Sequence, residues 1–541
     1  MKRHILVLCT ALLSVSVPAQ KTPEIEKSLS IYNDVMRQLD INYADTIDVE
    51  DLVTTSIHQM LRKIDPYTVY IPKDKTNDLR FMTTGKYGGI GAVIMQRGDT
   101  VCINNPYEGM PAQLSDVRAG DKILEVNGVR VIKKTTAEVS DLLRGVPDSK
   151  ITIKLKRDGE KKPLVKTFER QEIKISPIAY STALNDSVGY IAFTEFTEKS
   201  AKEFKNALDE LVAHHGTRSL ILDLRSNGGG IIDEAIKIVN LFVDKGTEIV
   251  ATKGKTANSH RTYKTTQQPS YPDMPLVVLV DHNSASAAEI VSGALQDLDR
   301  ALIIGQRTYG KGLVQSIRPI AYDGNLKVTT AKYYIPSGRC IQAIDYSKRR
   351  SDGSVEQVPD SLRKEFKTLR GRTVRDGGGI EPDIILSDSS KVGITYSLYV
   401  KQMFFDYATR YRREHERIAP PTEFQVTDSI LEDFMNFLDE QEFTYQTETS
   451  KYYEDMLRMA HNELLDSVVI KTLEDLQDKI TPSFRDAIAA QKEEVKLMLG
   501  QEIVRRYYFQ KGEAAYSLRF DKEVERALEE IVNLTMEYLS I

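Results

Sequence analysis

Residues 276–296 read Leu-Val-Val-Leu-Val-Asp-His-Asn-Ser-Ala-Ser-Ala-Ala-Glu-Ile-Val-Ser-Gly-Ala-Leu-Gln. The five apolar residues Leu276–Val280 suit a strand covered on both faces, because an unbroken run leaves no side for water. A short polar turn follows. From Ser286 the pattern is helical, opened by Ser286-Ala-Ala-Glu289, the Ser-x-x-Glu spacing of a capping box. A buried strand feeding directly into a helix is the repeating unit of an α/β sheet.

The flanking sequence repeats that unit. Strands are expected at Gly189–Phe193, Ser219–Leu224 and Ala301–Ile304. Helices are expected at Ser200–Ala213, with Phe204, Leu208, Leu211 and Val212 inward, at Ile231–Phe242 and at Ser286–Gln296. The alternation predicts a multidomain α/β protein whose α/β core spans residues 173–390. Strands at Val314–Ile320 and Lys327–Tyr334 join it, and the polar, basic stretch 347–379 reads as an inserted loop or small subdomain.

Either side of the core the pattern changes. Residues 85–172 hold short β runs at Ile90–Met95, Val101–Ile103, Lys122–Val126 and Lys150–Lys156, with Asn127-Gly128 as a hairpin turn and a helix over Thr135–Leu143. Residues 20–84 read as N-terminal helices, since Ile31, Val35, Leu39 and then Leu52, Ile57, Met60, Leu61 recur at three- and four-residue spacing. Asp65-Pro66 ends the second one. Residues 391–541, charged and poor in glycine, predict an all-helical extension.

The chain has 541 residues, enough for two to four domains. Its net charge of −5 gives no reason to expect nucleic acid or an anionic membrane as partner. Lys2, Arg3 and His4, the apolar run Ile5–Val17 and the small residues of Val17-Pro-Ala19 predict a cleavable export signal over residues 1–19. The run is shorter than the roughly 20 residues needed to span a bilayer. Such a signal leads to an expected periplasmic location, with outer-membrane association or secretion as alternatives and a single membrane anchor as the rival reading of the run. Beyond Cys9, the distant Cys102 and Cys340 indicate two isolated buried thiols rather than a disulfide framework.

Several residues could carry chemistry. Ser286 is a helix cap on its spacing alone. A serine at a helix N-terminus also sits where the helix dipole favours developing negative charge, with the Ala287 N–H aimed at an oxyanion. Lys311, between Gly310 and Gly312, is either a surface lysine in a glycine turn or, if burial keeps its amine neutral, a general base. Gly305 to Lys311 has phosphate-loop spacing, but Gly312 stands where Ser or Thr would bind Mg²⁺, which excludes a Walker loop. Gln315 could orient a lysine amine. Asp223-Leu-Arg-Ser-Asn-Gly-Gly-Gly230 runs from a buried strand through three glycines into a helix, a backbone suited to an anion, a phosphate or a simple tight turn. His282 raises a Ser-His alternative. Gly85-Lys-Tyr-Gly-Gly-Ile-Gly91 offers a nest for a peptide carboxylate, or merely a turn into a small barrel. The histidines lack metal-ligand spacing, so no metal and no cofactor is expected.

Together these segments resemble the C-terminal processing peptidases, or tail-specific proteases, of the Ser-Lys class. The resemblance is carried in order by Tyr87-Gly-Gly-Ile-Gly91, Arg118-Ala-Gly-Asp121 with Asn127-Gly128, Asp223–Gly230, Ser284-Ala-Ser-Ala-Ala-Glu289, Gly305-Gln-Arg-Thr-Tyr-Gly-Lys-Gly312, Pro336-Ser-Gly-Arg-Cys-Ile-Gln342 and Gly378-Gly-Ile-Glu-Pro-Asp383. It implies N-terminal helices, a PDZ domain, a crotonase/ClpP-like α/β peptidase core and a C-terminal helical extension. The serine–lysine interval of that family selects Ser286 over Ser284. On this resemblance Ser286 is the nucleophile, Lys311 the general base and then acid, and Gln315 the group that orients it. The N–H groups of Gly229 and Ala287 would form the oxyanion hole, with Gly230 the alternative to Gly229. Gly88, Gly89, Ile90 and Gly91 would bind the carboxylate of a substrate tail, and Arg118 would couple the PDZ domain to the core. Expected partners are protein or peptide substrates with a free C-terminus, an adaptor protein and, through helical arms, a second copy in a homodimer. A non-catalytic PDZ scaffold or chaperone and an acyl-transfer enzyme are the rival classes.

Overall fold

The computed structural model describes residues 22–73, 84–350, 354–386, 393–477 and 482–539. The expected export signal, residues 1–19, lies outside them. The chain falls into two compact units, one ending at Tyr70 and one beginning at Ile71.

The first unit holds α1 (Thr22–Asn42) and α2 (Val49–Arg62). Asp48 caps α2 by accepting the Asp51 N–H at 3.0 Å. Asp65 accepts the N–H groups of Tyr67 and Thr68 at 2.8 and 2.7 Å, so the Asp-Pro signal marks the turn after the helix rather than its last residue. The region is not helical throughout, because Val69–Ile71 is extended.

The second unit begins with a small β domain. Strands β1 (Ala92–Arg97), β2 (Thr100–Pro106), β3 (Lys122–Val126), β4 (Lys150–Lys156) and β5 (Leu164–Glu169) form an antiparallel sheet in that order. Helix α3 (Thr136–Leu143) packs against it, started by a Thr135–Glu138 capping box. A further ladder joins Lys86–Gly89 to Gln171–Lys174.

The core follows. Its strands are β6 (Ile178–Ala183), β7 (Val188–Phe193), β8 (Ser219–Asp223), β9 (Glu248–Gly254), β10 (Arg261–Lys264), β11 (Leu276–Val280), β12 (Leu302–Gly305), β13 (Leu313–Pro319), β14 (Asn325–Tyr334) and β15 (Ile384–Ile385). Six make one sheet in the order β6-β7-β8-β11-β12-β15, parallel except for the β6–β7 hairpin. A second sheet pairs β13 with β14, β14 with β9 and β9 with β10, all antiparallel. Helices α4 (Ser200–His215), α5 (Ile232–Val239) and α6 (Ala287–Asp297) pack on one face of the first sheet, burying Leu220, Leu222, Leu276 and Val278. The inserted stretch forms two small hairpins, Ile344–Arg349 with Val355–Gln357 and Glu365–Lys367 with Thr373–Arg375.

The helical extension contains α7 (Ile394–Val400), α8 (Met403–Glu414), α9 (Asp428–Glu440), α10 (Glu448–Asn462), α11 (Ser467–Glu474), α12 (Phe484–Ala490), α13 (Lys492–Leu518) and α14 (Lys522–Leu539). It has its own aromatic-rich core around Phe404, Tyr407, Phe434 and Phe437. Helix α14 leaves that core and covers the other face of the six-stranded sheet. Its Val524, Ala527 and Ile531 bury Ile221, Val277, Leu279 and Ile304. Residues 220 and 222 face one layer and 221 the other, as the period of two requires. The unbroken apolar runs at Ser219–Leu224 and Leu276–Val280 thus arise from two helical layers.

The segment Pro336–Gln342 is fixed from inside. Arg339, 1% exposed, donates to Asp297 Oδ1 and Gln296 Oε1 at the end of α6, both at 2.8 Å, and to the Arg375 carbonyl at 3.1 Å. Asp297 also accepts the Ser337 N–H at 3.0 Å. Breaking one side of a buried ion pair leaves the other charge unpaired in a low-dielectric site. Arg339→Ala is therefore expected to lower stability by about 3–5 kcal/mol in denaturant unfolding, whereas breaking an exposed pair such as Lys451–Glu448 should leave stability nearly unchanged.

Candidate active site

Ser286 lies between the end of β11 and the first turn of α6, with φ 57° and ψ −113°. An L-residue avoids that region, so the turn stores backbone strain at a half-buried hydroxyl. A strained serine on a sharp strand-to-helix turn is the geometry that projects a nucleophile from a sheet edge. Ser284 is different. It is fully buried, and its hydroxyl donates to the Leu224 carbonyl at 2.8 Å and accepts the Asp281 N–H at 2.9 Å. The structure makes Ser284 a brace and leaves Ser286 at the surface of the turn.

The serine turn and the lysine turn are held by one carboxylate. Glu289, 0% exposed, accepts the N–H of Ser286 (2.8 Å) and of Lys311 (2.9 Å) on Oε2. Its Oε1 accepts the Thr308 hydroxyl (2.6 Å) and the Gly310 N–H (2.7 Å). Burial pushes this carboxyl up, while the donors from Thr308, Lys311, Ser286 and Gly310 pull it back. All four partners donate, so the ionised form fills its acceptor sites and a proton would displace one of them. The buried Tyr333 hydroxyl lies beside the carbonyls of Ser286 and Lys311, 3.1 and 2.5 Å away.

Glycine permits the close approach of the lysine turn. Gly310 has φ +83°, and a Cβ there would lie 2.4 Å from the Ala343 Cβ; at Gly312 it would lie 2.8 Å from the Gln342 nitrogen. Gly312 donates its N–H to Gln342 Oε1 at 2.8 Å, and Ala343 donates to the Gly310 carbonyl at 2.9 Å. The three segments at residues 286–289, 308–312 and 336–343, distant in sequence, are one structure. Gln315, expected to orient the lysine amine, lies near the start of β13. A bulge separates Val314 from Gln315, and the Gln315 amide donates to the Leu313 carbonyl and Thr329 Oγ1, at 3.3 and 3.4 Å.

The glycine loop reaches the same turn. Asn227 accepts the Ala285 N–H on its carbonyl at 2.9 Å, and Asp281 accepts the Ser226 N–H at 2.8 Å. Gly229 has φ +96°, and a Cβ on it would fall 2.7 Å from the Ser286 Cβ and 2.8 Å from the Ala287 nitrogen. Its own N–H donates to Asn227 Oδ1 at 2.9 Å. The N–H expected at the oxyanion is thus bonded to Asn227 in this structure. Gly229 provides proximity, and its N–H is engaged. Among the described residues, the N–H groups of Gly230, which is exposed, and of Ala287 donate to no other protein group. His282, the residue of the Ser-His alternative, is exposed, and its Nδ1 faces Gln306 Oε1 at 3.1 Å.

In the small β domain, β1 is an edge strand with a cleft between it and α3, lined by Tyr87, Gly89, Ile90, Val93, Leu143 and Arg144. The Arg144 guanidinium sits over the Tyr87 ring, 5.6 Å from its centre. The four residues expected to form one nest divide their work. Gly89 and Ile90 line the cleft. A Cβ on Gly88 would lie 2.0 Å from the Gly145 carbonyl oxygen, and one on Gly91 2.4 Å from the Met110 Cβ, so these two serve packing. Arg118, expected to couple this domain to the core, is exposed and donates to Asp116 Oδ1 at 2.6 Å within its own domain. Cys340 is half-buried rather than buried.

Sequence reading missed Tyr333, Thr308, Asn227 and Asp281. Thr308, Asn227 and Asp281 lie inside the motif stretches, but their roles depend on long-range contacts that spacing does not show. Glu289 was legible only as half of a capping box; its reach to the lysine turn is long-range. Among the described residues there is no cluster of His, Cys, Asp and Glu able to hold a metal.

Known proteins match the same segments. Residues 187–347 match the description "Peptidase family S41", residues 103–157 "PDZ domain", and residues 394–531 "Probable PDZ-protease, C-terminal helical domain". A carboxy-terminal-processing protease of Bartonella bacilliformis is 34% identical over 361 residues, covering 66% of this chain and 82% of that protein. A probable CtpA-like serine protease of Staphylococcus aureus strain COL is 32% identical over 319 residues, covering 58% of this chain and 63% of that protein. Among solved structures, the photosystem II D1 C-terminal processing protease is 27% identical, covering 65% of this chain and 86% of that one with a TM-score of 0.36.

Glu289→Gln tests the shared carboxylate. An amide has one acceptor oxygen and brings two donors into a site lined by donors. The variant is expected to lose about 3 kcal/mol or more in denaturant unfolding, and amide exchange at Gly310 and Lys311 should speed up with it. Wild-type stability would show that the carboxylate is not holding the turns.

Proposed function

The chain belongs to the S41 family of serine-type peptidases, together with carboxy-terminal-processing proteases, and on that premise we propose that it cuts peptide bonds with a Ser-Lys site and selects protein substrates by their C-terminal tails. The single observation that carries this reading is the Glu289 carboxylate, which binds the backbones of Ser286 and Lys311 to one oxygen atom. Ser286 Oγ attacks the peptide carbonyl. The Lys311 amine takes the serine proton and passes it to the leaving amine; a water then gives a proton to the same Lys311 amine, attacks the acyl group and breaks its bond to Oγ, which recovers that proton. The helix N-terminus and the N–H groups of Ala287 and Gly230 take up the negative charge of the tetrahedral intermediate. Gln315, four residues after Lys311, orients the amine.

The cleft between β1 and α3 supports tail recognition. A substrate end would add a strand to the free edge of β1, its carboxylate beside Gly89, Ile90 and the Arg144 cation. The basic and apolar start of the sequence supports work outside the cytoplasm, in the periplasm. The exposed apolar residues Ile25, Leu29, Val35 and Leu39 of α1 support a homodimer through that arm, with an adaptor protein as the rival occupant.

Two measurements test these points. With an unfolded protein as substrate, Ser286→Ala and Lys311→Ala should each lower kcat by about 1,000-fold or more, and amidating the substrate C-terminus should raise KM in the wild type. Equal cleavage by all three proteins would reject the mechanism, and indifference to amidation would reject tail recognition. In sedimentation, wild-type chain should run as a dimer and Leu29→Asp as a monomer; a wild-type monomer would remove the homodimer.

A further inference from the structure

The glycine loop is anchored to the far end of the chain. Arg225, two residues before Asn227, donates from Nη1 to Glu523 Oε2 at 2.7 Å and to Asp521 Oδ1 at 3.2 Å, and from Nη2 to Asp521 Oδ2 at 2.7 Å. Its Nε and Nη2 also donate to Asp223, at 3.0 and 2.5 Å, and the Tyr190 hydroxyl donates to the same Asp223 carboxylate at 2.6 Å. Asp521 in turn accepts the N–H groups of Glu523 and Val524 at 3.0 and 3.1 Å, starting α14. The apolar face of that helix lies on the sheet that carries both the glycine loop and the serine turn.

We propose that Asp521 and Glu523 are positioning residues of the hydrolytic site, acting through Arg225 to set the glycine loop against the Ser286 turn; this rests on the peptidase reading above. The loop needs such a hold. Gly228, Gly229 and Gly230 have the widest backbone freedom of any residue, and an oxyanion donor contributes only if it is aimed before the charge develops. Three carboxylates around one planar guanidinium fix both its position and its plane. From there the chain runs through Ser226, held by Asp281, and Asn227, held by Ala285 and by its own amide on the Phe193 carbonyl at 2.7 Å, to the glycines. The helical extension is on this account a working part of the catalytic core.

The test is the double variant Asp521→Asn, Glu523→Gln in the full chain. Asparagine caps a helix as well as aspartate, so α14 keeps its start while Arg225 loses two ionic partners. The readouts are kcat, KM, the affinity for a peptide boronate that forms a tetrahedral adduct with a serine, and the affinity for a non-covalent product peptide. The expected result is a fall in kcat of about 10- to 100-fold, a parallel fall in boronate affinity, and KM and product affinity within about twofold of wild type. A purely structural role would not separate the boronate from the product. Wild-type kcat and boronate affinity in the folded variant would overturn the proposal, and so would an equal loss for boronate and product. If the double variant fails to fold, Glu523→Gln alone is read by the same two ratios. Ser286→Ala is the control. If it cleaves like wild type, the peptidase reading falls and this proposal with it, whereas a Ser286-dependent wild type matched by an unimpaired variant overturns the proposal alone.

Discussion

One buried carboxylate organises the centre of this protein. Glu289 gathers donors from the serine turn, from Thr308 and from both sides of the lysine turn, and Tyr333 repeats the link from the carbonyl side. Such a group is costly to bury and is tolerated because every acceptor site is filled. Thr308 extends the network by accepting the Ile380 N–H at 2.6 Å, which draws in the segment Gly378–Asp383. The sequence motifs that are separate along the chain are thus neighbours through a few hydrogen bonds, and the glycines among them are the positions where a Cβ would keep the backbones apart.

The sheet provides the rigid platform for this centre. Its middle strands are buried on both faces, by α4 to α6 on one side and by α14 on the other. The strand ends at Asp223, Val280 and Gly305 feed the glycine loop, the serine turn and the lysine turn, so all three loops rise from the same edge. Crevices outside the carboxyl ends of parallel strands are where α/β sheets place their ligands. A small β domain with an open edge strand stands in the same unit, held to the helical extension by the Arg97–Asp406 ion pair at the end of β1.

Much of the fold was legible because it is local. The apolar runs at 219–224 and 276–280, the Ser-x-x-Glu spacing, the Asn-Gly turn and the charged, glycine-poor tail each report a short stretch of chain, and each marks the element found there. Boundaries slipped by one to three residues where caps decide them, as at Ser286, which precedes α6, and at Ile231, which precedes α5. The candidate site was legible as a set of residues and less so as a set of contacts. Ser286 and Lys311 carried local signals. The duties of Gly229, Gln315 and Arg118 did not follow from spacing, because an N–H taken by Asn227, a bulge beside Val314 and an ion pair with Asp116 are properties of the folded chain. The cover that α14 gives the sheet had no signal at all, since a helix face does not name its partner.

The central claim is that Glu289 and Tyr333 hold two turns so that the Ser286 hydroxyl and the Lys311 amine meet. A crystal structure of the protein with a peptide aldehyde bonded to Ser286 tests it most directly. The account predicts Lys311 Nζ within about 3.2 Å of Ser286 Oγ, with the Glu289 carboxylate still accepting both backbone N–H groups. An adduct on Ser286 with that amine turned away into solvent, while the carboxylate contacts persist, would contradict it.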